Sequence, residues 1–149
     1  MNTRVLFLCA IVAALIVAGV AWYTRDLPVY ASASAPLVAP VDSVCLNATL
    51  ARRFGPADAP PIFRSQTTNR PAVRWLHYGH AIFRQTYSDS GFGSLNAAKP
   101  VDTGLVAALL PSRALLDSVG RQLGAAVLAA RDACGGRARP GLPELTIGR

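Results

Sequence analysis

The chain has 149 residues, 52% of them hydrophobic, with 15 basic and 8 acidic side chains and a formal charge of +7. That length allows one small core once the N-terminal apolar stretch is set aside. The charge does not point to nucleic acid, because the arginines are scattered singly apart from Arg52 and Arg53 and no aromatic run interleaves them. Lys99 is the single lysine and Glu144 the single glutamate, and the many alanines complete a composition that reads as a GC-rich bacterial genome.

Residues 5–23, VLFLCAIVAALIVAGVAWY, carry no charge. As a helix they span roughly 28 Å, enough to cross the hydrocarbon of a bilayer. Arg4 precedes them while Trp22 and Tyr23 close them, so these three are the expected membrane-interface residues. The positive-inside rule then puts residues 1–4 in the cytoplasm and the rest across a bacterial inner membrane, in the periplasm. The alternative is a secretory signal cleaved near Gly19-Val20-Ala21 or Ala31-Ser32-Ala33, which releases the domain. An uncleaved anchor is preferred because the apolar run exceeds the usual signal core of about 7 to 15 residues. Cys9 lacks a small residue before it and is read as a packing residue rather than a lipidation site.

Residues 24–41, with LPVYASASAPLVAP at their centre, read as a flexible linker of small residues and prolines. The domain is expected over 42–136. Cys45 and Cys134 are its only cysteines, and an oxidising compartment pairs them as a disulfide. Asp42 or Ser43 caps a helix over 43–54, stopped by Gly55-Pro56, and residues 55–70 read as an extended loop.

Residues 71–88 contain both histidines. At 100° per residue Trp75, Leu76, His80, Ile82, Phe83 and Tyr87 gather on one half of a wheel with His77 on the other, and the spacing predicts a helix. Against it stand Gly79 and many β-branched or aromatic residues, which favour an α+β alternative with a hairpin around residues 72–87. Residues 89–101 read as a glycine-rich connection without a phosphate-loop register. A helix is expected from Asp102 or Thr103 to Leu110, a longer one over 113–134 ended by Gly135-Gly136, and a flexible tail over 137–149. The expected architecture is thus mainly α: one N-terminal transmembrane helix plus a small disulfide-closed bundle of three or four helices.

Little in this pattern signals chemistry. His77 and His80 are spaced as helical metal ligands would be, but no acid or cysteine accompanies them, so they are weak metal candidates and no cofactor is expected. Ser88, Ser90 and Ser94 lie near the histidines without a GxSxG elbow, and the aspartates read as caps or turn residues. Asn47-Ala-Thr49 matches a glycosylation sequon by chance, and Gly120-x-x-x-Gly124 marks close packing within the domain. The sequence is therefore read as a non-catalytic, membrane-anchored interaction or accessory module of a bacterial envelope complex with a protein partner. Alternatives are a secreted effector or inhibitor, and a small envelope enzyme using His77, His80 and Ser90.

Overall fold

The structure, a computed structural model, describes residues 3–66, 72–88 and 93–148. Helix α1 (Thr3–Thr24) is followed by strand β1 (Pro28–Leu37), α2 (Ser43–Phe54), β2 (Ala57–Arg64), β3 (Ala72–Tyr78), β4 (Ala81–Tyr87) and β5 (Gly93–Thr103). Helices α3 (Leu105–Leu109) and α4 (Arg113–Ala133) and the short strand β6 (Thr146–Gly148) complete the chain. Two compact units result, residues 1–29 with 102–112 and residues 30–101 with 113–149.

In the second unit the strands form one six-stranded antiparallel sheet in the order β2-β3-β4-β5-β1-β6. This corrects the expected helical bundle: the domain is sheet-based, with α2 and α4 packed on one side and on each other. The helix expected over 71–88 is instead the β3–β4 hairpin, paired from Ala72 with Tyr87 to Tyr78 with Ala81. Gly79 and His80 turn it with φ of 53° and 61°, the two left-handed residues of a tight hairpin turn whose twist matches the strands. Asp58 stabilises that turn by accepting the His80 backbone N–H at 2.9 Å.

Three more segments expected to lack regular structure are strands. Residues 28–37, read as tether, are β1, an interior strand between β5 and β6 with Ala31, Ala33, Ala35 and Leu37 all buried. Within the expected loop and connection lie β2 and β5. Pro28 and Pro36 sit near the ends of β1, where a missing N–H matters least.

The core lies between sheet and helices. Leu46 and Leu50 of α2, Leu116, Leu123 and Val127 of α4, and Leu76, Phe83 and Leu95 of the sheet are all buried, and each fully buried side chain of this size contributes about 1.5–3 kcal/mol. Phe83 also meets the Phe54 ring at 5.4 Å between centroids. Tyr78 is buried against the helical layer, its hydroxyl donating to the Asn47 carbonyl at 3.4 Å, and burial raises its pKa. Asp42 caps α2 through both carboxylate oxygens, and Cys45 is disulfide-bonded to Cys134 just past α4, with Cα atoms 5.5 Å apart. Around that bond, the Asp42 N–H donates to the Cys134 carbonyl and the buried Gln85 amide donates to the Val41 carbonyl at 2.8 Å.

The segment after α4 is also placed, in contrast to the flexible tail expected. It runs back along β1 through a bridge between Leu37 and Ala138 and then pairs as β6 from Ser32 with Gly148 to Ser34 with Thr146. Arg131, buried, donates to Asp132 at 2.8 Å and across to Glu144 at 2.6 Å; the Asp132 bond raises its pKa, burial opposes the rise, and Glu144 adds to it. Gly120 and Gly124 let the tail lie against α4, since a Cβ would come within 2.6 Å of Ile147 Cγ2 and 2.7 Å of Leu145 Cδ2. Gly120→Ala is expected to release the tail while leaving the melting temperature within a few degrees, because the helix gains about 1 kcal/mol of propensity as the tail contact is lost. Carboxypeptidase trimming followed by mass spectrometry reads this directly. A tail as resistant as in the wild type rules out the close contact.

In the first unit α1 exposes its apolar side chains throughout, and residues 5–24 are long and apolar enough to cross a membrane or to serve as a signal sequence. The Arg25 guanidinium lies over the Trp22 ring at 5.1 Å and pairs with Asp26 at 3.1 Å, while Tyr23 is exposed beside them. Arg4 lies in the first turn of α1, and its side chain is outside the described residues. Cys9 is a free thiol on the exposed surface of the same helix.

Candidate functional site

Because α2 and α4 lie on one side of the sheet, no helix of this unit covers its other face among the described residues. Successive strand residues point to opposite faces, so the positions between the buried ones line this open face. They include Ser32 and Ser34 from β1, Trp75 and His77 from β3, Ile82, Arg84 and Thr86 from β4, and Ser94, Asn96 and Ala98 from β5.

Size differences among these residues shape a groove. Trp75 is opposite Arg84 on one neighbouring strand and Ile62 on the other, forming a tall ridge. Beside it Ser32, Ser34 and Ala98 are short. The resulting depression has a volume of about 370 Å³, lined chiefly by Ser32, Ser34, Trp75, Ile82, Arg84 and Asn96. Among the described residues Arg84 is its only charged lining residue.

The polar part of the face is ordered by its own hydrogen bonds. The Ser34 hydroxyl donates to Asn96 Oδ1 at 2.5 Å, and Asn96 Nδ2 donates to Ser94 Oγ at 2.7 Å, which lies 2.6 Å from Thr86 Oγ1. This chain crosses β1, β5 and β4 and fixes the Asn96 amide, so the groove offers a preset polar wall opposite an aromatic one. Such a surface is suited to recognition: the ring supplies contact area at little entropic cost and the guanidinium a directional donor for carboxylates or carbonyls.

The residues singled out from sequence are distributed differently. His77 lies on the open face, paired with Ile82 in the ladder, whereas His80 occupies the exposed hairpin turn and is placed by its backbone; the apolar half-wheel that contained it does not exist. Ser88 follows β4, Ser94 belongs to the polar chain, and Ser90 lies outside the described residues. Among the described residues no group of three or more His, Cys, Asp or Glu is placed to hold a metal ion. Trp75 and Arg84 were not recognised from sequence as a pair, because on a helix they point apart whereas in the hairpin they are cross-strand neighbours.

No protein family, no curated protein and no solved structure matches the chain.

Proposed function

We propose that the chain is a membrane-anchored, non-catalytic binding module facing the periplasm, which holds a protein partner of a bacterial envelope complex on the open face of its sheet. The groove beside Trp75 and Arg84 carries this reading: an aromatic ridge and a guanidinium beside an ordered polar wall include the residue types that dominate binding energy at protein interfaces. The apolar α1 and the Cys45–Cys134 disulfide support an exported domain held at a membrane, and the arginine-rich, lysine-poor composition supports a bacterial source. A partner segment bearing a carboxylate suits Arg84 best, since no acid lines the groove among the described residues.

The test is site-specific photo-crosslinking in the native membrane. A benzophenone residue at Ile82 is expected to give one discrete adduct, which W75A or R84E reduces by about tenfold or more, a change of roughly 1.4 kcal/mol. The same probe at Val44, exposed on α2, serves as the control. An Ile82 probe without adduct, or equal adducts from both positions, overturns the reading.

The released-protein alternative is separable by the position of the cut. Ala31 and Ala33 are 0% and 1% exposed within an interior strand, so cleavage after Ala33 would remove much of β1 from between β5 and β6. Cleavage after Ala21 leaves every strand intact. The mature chain is therefore expected to begin at its original N-terminus if anchored and at Trp22 if released; intact mass distinguishes them, and a chain starting at Ser34 contradicts the placement of β1.

A further inference from the structure

Residues 103–112, TGLVAALLPS, carry no charge, and Asp102 and Arg113 bracket them. Within them Val106 and Leu109 of α3 and Leu110 just after it are 75%, 69% and 79% exposed, a run of large apolar side chains that no described residue covers. The segment belongs to the same compact unit as α1. The Gly104 N–H donates to the Leu27 carbonyl at 2.9 Å, tying the start of α3 to the end of α1.

A cleft of about 600 Å³ separates the two, with Ile16, Val17, Val20 and Ala21 on one side and Leu105 and Val106 on the other, and with Arg25 and Thr103 at its polar end. Depth follows from helix geometry. At 1.5 Å per residue Val20 and Ile16 lie roughly 6 and 12 Å before the end of α1 at Thr24, inside the hydrocarbon half-thickness of about 15 Å when Trp22 and Arg25 mark the headgroup level. Apolar residues of α3 lie across a cleft from that stretch. Backbone bonds from Ala108 to Gly104 at 3.0 Å and from Leu110 to Val106 at 2.8 Å satisfy part of the segment's backbone internally, which lowers the cost of placing it against lipid.

We propose that α3 and its flanks are a second membrane contact, an apolar wedge whose Val106, Leu109 and Leu110 are covered by acyl chains of the leaflet at the C-terminal end of α1. The proposal rests on α1 being a retained anchor. Lipid is the occupant because the segment is uncharged, its large apolar side chains are exposed, and its Leu105 and Val106 face the apolar stretch of α1 across the cleft.

The experiment uses the full chain reconstituted in phosphatidylcholine vesicles, with C9S as background and the disulfide left oxidised. An environment-sensitive fluorophore is attached through L109C, and through L15C and V44C as references within α1 and on α2. Quenching by doxyl-labelled lipid at Leu109 is expected to approach that at Leu15, with quenching by aqueous iodide about fivefold below that at Val44. Iodide quenching at Leu109 equal to Val44 overturns the wedge, because water then reaches it. Protection from both quenchers also overturns it, in favour of a second copy of the chain covering α3. If Leu15 itself is open to iodide or has been removed by cleavage, the anchor reading fails, and that result is distinct from a wedge failure with Leu15 still in lipid.

Discussion

Cys45→Ser is expected to lower the stability of the sheet domain by about 4–5 kcal/mol, the loop-closure entropy that a bond spanning 89 residues removes from the unfolded chain. The whole net stability of a small domain is about 5–15 kcal/mol, so this single change takes the domain close to its unfolding threshold at 37 °C. For about 100 folded residues each kcal/mol shifts the melting temperature by roughly 4–8 °C, which puts the expected fall near 20 °C or more. Near the bond the start of α2 and the end of α4 are also joined by the Asp42 N–H donating to the Cys134 carbonyl, while the Gln85 amide ties Val41 to β4. Circular dichroism melts with and without reductant measure it. The wild type in reductant is expected to match Cys45→Ser, while Cys9→Ser, which removes the exposed free thiol of α1, leaves the melt unchanged. A Cys45→Ser melt that coincides with the oxidised wild type defeats the claim.

The parts of this fold that sequence exposes are those with strong local signals. Asp42 before an apolar i, i+4 pattern reads as the start of α2, and Leu116, Leu123 and Val127 recur at helical spacing along α4. The cysteine pair follows from export chemistry alone. What sequence obscures is the sheet. In β1 the buried side chains are Ala31, Ala33 and Ala35 alternating with Ser32 and Ser34, so the period of 2 is present but its amplitude is small, and proline near both ends imitates a tether. In the tail, Leu145 and Ile147 have meaning only against Gly120 and Gly124. The hairpin misleads for a different reason. With Gly79 and His80 as its two turn residues, the residues on either side fall by chance on one half of a helical wheel, although its aromatic and β-branched content favours strand. The open face, and with it the candidate groove, exists only once four strands are brought side by side, which no local pattern encodes.

The hairpin makes a sharp distinction between two aromatic residues that a helix would place on the same side. Phe83 is 0% exposed, points into the helical layer and meets Phe54, so Phe83→Ala leaves a cavity under α2 and is expected to cost about 3–5 kcal/mol. Trp75 lies on the other face of the same hairpin, half-buried between Ile62 and Arg84. Its removal vacates no enclosed space, and Trp75→Ala is expected to cost about 1 kcal/mol or less, within the range of surface changes and lost cross-strand pairs. Chemical denaturation of the two variants side by side gives the ratio. A large loss for Phe83→Ala with a small one for Trp75→Ala places them on opposite faces, and it separates core from binding surface, because only the Trp75 variant then loses the Ile82 crosslink while remaining folded. Equal losses from the two contradict the alternation of the hairpin, and the open face falls with it.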